Sequence, residues 1–347
     1  MDQDEIQAPG WDAIDKALEP IYHGQEPKHY GTVLSYALGG SDPLQGISAY
    51  KRLEPVPHWH FVTYGFSELY EKETDNPEYS GWGFELSFRL LAQADSEEPP
   101  AWVLNFLQNL ARYVFNSGNV FNNGDYLNAN GPIALEEDTL IHSVVFSFDP
   151  ELPPIATPNG RVEFLQVTGI TTDEELAIKQ WRTLDVLEVF CEYLPLLVTD
   201  LGRHSLLENE EIRTRLKAGA ARDGSNTGHI FVDQLSWVKE GGFVVTLGAR
   251  QVGELLGILP NRLAFGREFS LIGKEIEVNF FPADSNTSEI DEDTLRLGLT
   301  PETVAEIGRV LEQKEGRYPL KGFDGLVFQV AKTFIKDGEG KVVETIG

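Results

Sequence analysis

The most regular stretch of the chain alternates strictly. Trp82, Phe84, Leu86, Phe88 and Leu90 fall on one side, and Gly83, Glu85, Ser87 and Arg89 on the other. Period two with one apolar side predicts a half-buried strand, covered on that side by a helix or a second sheet. The cover follows in the chain. After Pro99-Pro100, the residues Val103, Phe106, Leu107, Leu110 and Val114 repeat at helical spacing, so an amphipathic helix is expected, ending at Asn116-Ser117-Gly118-Asn119. Asn122-Asn123-Gly124-Asp125 then has turn chemistry.

The same reading extends to both sides. Trp11, Ile14 and Leu18 predict a first helix. Thr32–Ala37 and Ile47–Leu53 read as short strands split by the turn cluster Gly39-Gly40-Ser41-Asp42-Pro43. His58–Phe66 is apolar on both faces and reads as a central strand. Strands follow at His142–Phe148 and Arg161–Val167, then one long helix over Glu174–Cys191 capped by Thr171 or Thr172, a short buried strand at Leu196–Thr199, and a charged helix at Asn209–Lys217. Beyond these lie strands at Phe243–Leu247, Ile276–Phe281 and Gly325–Phe334. A helix opens at Thr300-Pro301-Glu302, where Thr caps, Pro sits at the first position and Glu favours the positive end of the dipole.

Strands and helices mix without strict alternation. The fold class expected is therefore α+β, with mixed or antiparallel sheets covered by helices rather than a doubly wound parallel sheet. Length predicts two domains. The best boundary is the run of turn-forming and polar residues Asp223–Gly228, which gives an expected N-terminal domain 1–222, a linker 223–228 and a C-terminal domain 229–347.

Charge narrows the partners. The 28 Lys and Arg face 55 Asp and Glu, a net charge of −27. A nucleic-acid binder replaces counterions on phosphates with a positive surface, so neither nucleic acid nor an anionic membrane is expected as a partner. An acidic surface attracts basic proteins instead. No apolar run reaches the ~18 residues of a membrane span. The opening Met-Asp-Gln-Asp-Glu-Ile lacks a basic and an apolar region, so no signal peptide is expected and the reading is cytoplasmic.

The search for chemistry finds little. His58 and His60 are the only close histidine pair; in a strand they share a face and could ligate one metal, but no third ligand lies nearby, and hydrogen-bonded strand histidines are favoured. Gly65-Phe66-Ser67 begins like a nucleophile elbow and fails at the final glycine, and Gly81-Trp82-Gly83 opens like a dinucleotide fingerprint but has Leu86 at the third glycine. The one cysteine, Cys191, excludes an internal disulfide and reads as a small buried hydrophobe. With no catalytic residues, metal or cofactor indicated, the residues favour a binding protein. A hydrolase with carboxylates assembled at the domain interface is the alternative.

Several stretches, in order, resemble the Suppressor of fused family. They are Leu38-Gly39-Gly40-x-Asp42-Pro43-Leu44, His58-Trp59-His60-x-x-x-Tyr64-Gly65-x-Ser67-x-Leu69-Tyr70, Gly83-Phe84-Glu85-Leu86-x-Phe88-Arg89-Leu90 and Leu110-Ala111-Arg112-Tyr113-Val114-Phe115, followed by Gly124-Asp125, Phe164-Leu165-Gln166-x-x-Gly169, Asp223-Gly224-Ser225-Asn226 and Arg262-Leu263-x-x-Gly266-Arg267-x-Phe269. The resemblance is to the bacterial branch. It implies two α+β domains, no catalytic activity and no cofactor. Animal members bind Gli-type transcription factors of the Hedgehog pathway by closing both domains on an extended peptide that lies between them as an added strand. Bacterial members are thought to be immunity proteins that neutralise polymorphic toxins. The resemblance carries two partner-binding residues onto this chain: the tyrosine of Ala-Arg-Tyr-Val-Phe, Tyr113, and the aspartate of Gly-Asp, Asp125. The function expected is a non-catalytic module that sequesters a protein partner, here a basic toxin or its extended segment. From the residues alone, Tyr113 equally reads as a helix-end core aromatic and Asp125 as a turn former.

Overall fold

The computed structural model describes residues 7–347 apart from Ser35, Glu136, Glu240 and residues 337–339. The opening run read against a signal peptide, Met1–Ile6, lies outside the described residues. Contacts divide the chain into two compact units: the described residues of Met1–Thr172 with Phe190–Ser205, and Asp173–Val189 with Leu206–Gly347. Both mix helices with mixed sheets, an α+β architecture. No helix among the described residues is long and apolar enough to cross a membrane.

The first unit runs α1 (Pro9–Tyr22), β1 (Lys28–Gly31), β2 (Gly46–Arg52), β3 (His58–Tyr64), β4 (Tyr79–Leu91), α2 (Trp102–Ser117), β5 (Tyr126–Asn128), β6 (Ile141–Phe148), β7 (Ile155–Thr157) and β8 (Gly160–Thr171). Its eight strands form one sheet in the order β1-β2-β3-β4-β8-β6-β5, with β7 beside β8. Only β4 and β8 run parallel; the other pairs are antiparallel. The expected strand at Thr32–Ala37 is displaced: β1 ends at Gly31, and Tyr36–Leu38 is a turn of 3-10 helix. Likewise Pro195–Leu197 is 3-10, and the expected strand there shrinks to one bridge, Thr199 to Leu90.

The stripe of α2 (Val103, Phe106, Leu107, Leu110, Val114) covers Phe84, Leu86, Phe88 and Leu90 of β4, as the alternation required. The other face of β4 overturns the half-buried expectation: Glu85, Ser87 and Arg89 are fully buried. The reason is α1. Its Ile14, Leu18 and Tyr22 pack on Tyr50, Val62, Tyr64 and Phe164, which closes the second side of the sheet.

That second side therefore holds buried charge, and the charge is paired. Arg89 donates to Asp149 at 2.6 and 3.1 Å, to Glu151 at 3.0 Å and to Gln166. Ser87 donates to Asp149 at 2.6 Å. His60 faces Asp149 across 3.5 Å and meets the Tyr22 hydroxyl through Nδ1. Burial works to raise the Asp149 carboxyl, but the His60 hydrogen bond and the Arg89 guanidinium prevail and hold it well below the usual carboxylate range. Nearby, Glu85 accepts from Thr63 Oγ1 (2.7 Å), Gly65 N (2.9 Å), and both Ser67 N (2.9 Å) and Oγ (2.6 Å), which fastens the loop after β3; burial nevertheless pushes its carboxyl up to about 7.

The second unit takes most of α3 (Thr172–Gln180) and α4 (Thr183–Cys191), whose first residue and last two residues respectively count with the first unit, and continues with α5 (Glu210–Asp223), β9 (His229–Phe231), β10 (Ser236–Lys239), β11 (Phe243–Gly248), α6 (Ala249–Leu263), β12 (Phe269–Ile272), β13 (Glu277–Pro282), β14 (Thr287–Asp291), β15 (Thr294–Leu299), α7 (Pro301–Val310), β16 (Gly316–Pro319), β17 (Leu326–Ala331), β18 (Thr333–Lys336) and β19 (Val342–Ile346). It builds a four-stranded sheet β10-β11-β17-β16, a five-stranded sheet β14-β15-β13-β12-β9 and the hairpin β18-β19. Buried Val252, Leu255, Ile258 and Leu259 of α6 share one core with Val245 and Phe328 of the first sheet and Leu271, Val278 and Phe280 of the second.

The single helix expected over Glu174–Cys191 is broken at Trp181. The Trp181 indole N–H donates to Asp223 at 3.0 Å, and its ring lies against Gly219 of α5, where an added Cβ would sit 2.3 Å away. Cys191 is exposed rather than buried. Residues 223–228, read from chain order as a linker, are held within this unit. Ser225 is fully buried, its Oγ donates to Lys179 O at 2.6 Å, its N–H donates to Asn261 O at 2.7 Å, and its carbonyl accepts from Arg262 and Arg267 at 3.0 and 2.9 Å.

Two tests follow from the buried charge. Asp149→Ala removes the two-oxygen partner of the buried Arg89 guanidinium, leaving it only Glu151 and Gln166, and should lower stability by about 3–5 kcal/mol, read by urea unfolding; a loss under about 1 kcal/mol would mean that Arg89 reaches water. For His60, burial and Arg89 drive the ring from 6.5 down to about 4 against the pull of Asp149. The folded state keeps it neutral while the unfolded chain binds a proton, so stability is present above 6.5 and lost as pH falls through about 4. His60→Gln should flatten the stability–pH slope in that window by about 1.4 kcal/mol per pH unit, measured by unfolding at successive pH values.

Candidate functional site

Tyr113 lies in the last turn of α2. Gly118 ends that helix in the left-handed region, φ 74°, and its N–H closes on Val114 O at 2.8 Å. A glycine takes this conformation without the Cβ penalty, so the chain can turn sharply into residues 119–125. Tyr113 is 41% exposed. Its ring stacks on Phe121 at 5.5 Å and 18°, and Phe121 stacks on Phe146 of β6 at 4.0 Å and 12°. Its hydroxyl accepts from Asn119 Nδ2 at 3.3 Å, while Ser117 Oγ donates to its carbonyl at 2.7 Å. The ring is thus neither a core aromatic nor a loose one. One face rests on a buried aromatic column and the rest is open to solvent.

Asp125 closes the turn that begins at Asn122. Its N–H donates to Asn122 O at 3.0 Å, and its Oδ2 accepts from Asn122 N at 2.8 Å and Nδ2 at 3.1 Å. Its carbonyl accepts from Phe146 N at 2.8 Å, which anchors the residue to the ladder of β6. No hydrogen bond to Oδ1 is present among the described residues. Tyr113 and Asp125 do not bond to each other. Both are tied to the Phe121–Phe146 pair, Tyr113 through a ring stack on Phe121 and Asp125 through a backbone bond from Phe146. An open carboxylate oxygen can receive a cation or a donor side chain, and the stacked ring of Tyr113 offers an apolar shelf.

The next residues, Tyr126–Asn128, are β5, the outermost strand of the eight-stranded sheet. In the second unit β9 is likewise outermost. It pairs in parallel with β12, with Ser270 N donating to Gly228 O at 2.9 Å and Val232 N to Ile272 O at 2.8 Å. In that alternation His229 and Phe231 turn their backbone groups away from β12. Both side chains are exposed, Phe231 to 74%, and their rings meet edge to face at 5.2 Å. Sequence reading missed β9; its only signal is three residues following Gly228.

His58 and His60 share a buried face, but His58 bonds Val56 O at 2.7 Å and His60 bonds Tyr22. Among the described residues no three metal-ligating side chains converge. If Asp125 fixes its turn, Asp125→Ala should cost about 1 kcal/mol and Asp125→Asn, which keeps an acceptor oxygen, clearly less; thermal melting of the two variants compares them.

Residues 40–204, which include both Tyr113 and Asp125, match the family model described as Suppressor of fused protein (SUFU). The Suppressor of fused homologs of Mus musculus and Homo sapiens are each 35% identical over 236 residues, covering 62% of this chain and 48% of theirs. The chain thus spans about half the length of the curated relatives it matches. The crystal structure of Drosophila Suppressor of Fused shares the fold with a TM-score of 0.77 at 22% identity, over 95% of this chain and 99% of that one. The Sufu-Fu complex crystal structure matches with a TM-score of 0.56 at 29% identity, over 61% of this chain and 98% of that one. The ordered motifs, the family match and the shared fold agree: residues 40–204 are similar to the Suppressor of fused family, and the chain shares the fold of the Drosophila protein.

Proposed function

We propose that this protein is a non-catalytic binding module that captures an extended segment of a protein partner by strand addition, with Tyr113 and Asp125 gripping the segment's side chains. The observation that carries this reading is that Asp125 immediately precedes an outermost strand, β5, and that Tyr113 leans through Phe121 on Phe146, the residue whose N–H bonds the Asp125 carbonyl. A sheet edge supplies backbone hydrogen bonds, and side chains beside it select the sequence. The outermost β9, with exposed His229 and Phe231, offers a second edge of the same kind in the other unit. The Sufu-Fu complex supports the reading, since a related chain there is found with a protein partner.

The finer form of the proposal is that the partner is a basic toxin held harmless by this chain. Its support is the resemblance to the bacterial branch and the net charge of −27, which attracts a basic protein. Association should then slow as salt rises.

The experiment is co-expression of the tagged chain with the products of the genes beside its own, followed by affinity measurement on the captured protein. Tyr113→Ala and Asp125→Asn should each weaken binding about tenfold or more, without unfolding the chain. Phe231→Pro removes an outward N–H and no ladder bond, and should weaken it similarly if β9 is used. Unchanged affinity in all three variants would reject strand capture. A neighbouring product that is not toxic, or whose toxicity this chain leaves intact, would reject the immunity role.

A further inference from the structure

A second place in the molecule is shaped for a partner. In the second unit a cavity of about 480 Å³ opens where the end of α6, the ends of β13 and β15 and the start of α7 meet. Its walls are short of donors: Pro260, Pro282 and Pro301 line it, and none carries an N–H. Its room comes from small residues, because Ala264, Ala283 and Ala305 stand where longer side chains would fill it. Buried Leu263 and Leu299 form the floor. The volume lies in the range of ordinary ligand pockets.

The charge at the mouth is one-sided. Asp284 is the only ionisable residue of the lining, it is exposed, and no hydrogen bond or ion pair commits its carboxylate among the described residues. Glu302, exposed in the first turn of α7, follows Pro301 directly. No lysine or arginine lines the cavity. An apolar side chain is therefore welcome inside and a cation outside, and a chain of net charge −27 draws basic proteins towards itself.

We propose that this cavity docks a protein partner through an apolar side chain the size of Leu or Phe, placed next to a Lys or Arg that meets Asp284. The site is separate from the β9 edge, since β13 and β9 stand on opposite sides of β12 in their sheet. It would add a side-chain anchor to a partner otherwise recognised through its backbone. It does not depend on Tyr113 or Asp125, so its failure leaves the strand-capture reading standing.

The test uses the full chain with isotope-labelled alanine methyls and three probes: acetyl-Leu-Lys-amide, acetyl-Leu-Glu-amide and phenethylammonium. The lysine dipeptide should shift the Ala264 and Ala283 methyls and bind at least about threefold more tightly than the glutamate dipeptide, the size of an exposed ion pair. Asp284→Asn, at an exposed position, should erase that preference. Ala305→Trp, also exposed and checked for an unchanged melting temperature, should abolish the methyl shifts; Val304→Phe serves the same purpose if the tryptophan variant melts early. Absent shifts, a smaller preference, a preference that survives Asp284→Asn, or shifts that survive plugging would each overturn the proposal. Tighter binding of phenethylammonium than of the lysine dipeptide would assign the cavity to a small amine and overturn it equally.

Discussion

The first unit depends on one ion pair, between Arg89 of β4 and Asp149 just after β6. The eight-stranded sheet is covered on both faces, by α2 and by α1, yet one of those faces carries charge. A lone guanidinium there would be prohibitively unfavourable. Arg89 is tolerated because Asp149 meets it with both oxygens, Glu151 and Gln166 add further acceptors, and Asp149 is itself shared with Ser87 and His60. Geometry of this quality is what lets a buried pair offset its desolvation. A polar network also constrains how the sheet can form, since β3, β4 and β8 must be in register for His60, Arg89 and Gln166 to meet the same carboxylate-centred cluster.

The candidate site stands at the outermost end of that sheet. Asp149 immediately follows β6, and β6 carries Phe146, the base of the aromatic column under Tyr113. Through the ladder of β6 the same strand fixes Asp125. The site is thus an extension of the sheet rather than a loop resting on it, which suits recognition by added strand: the edge must be rigid for its backbone groups to hold a fixed spacing. The second unit follows a different plan, with α6 sharing a core with two smaller sheets, and there the space left by alanines and prolines is apolar with an acidic mouth.

Much of this was legible in the chain. Strict alternation in Trp82–Leu90 and the helical stripe from Val103 to Val114 identified β4 and α2 and their packing, because side-chain direction in a regular element depends only on position. The α+β class followed from how such elements succeed one another. Turn chemistry at Gly118 and at Asn122–Asp125 placed the loop that bears the candidate site. A short element escaped: β9 is three residues long, and a strand that brief carries no period and is held only by its neighbour.

What the sequence settled by itself was therefore local: which residues are periodic, where the backbone must turn, and that the surface is acidic. Tertiary structure decided the rest. It made the polar side of β4 an interior, because α1 returns across it from a distance in sequence that no pattern within the strand reports. It broke the helix at Trp181, because that ring is anchored on Gly219 and Asp223. It also tied Tyr113 and Asp125 to one strand, β6, because both lean on an aromatic pair completed by Phe146, which lies more than twenty residues after Asp125 in the chain.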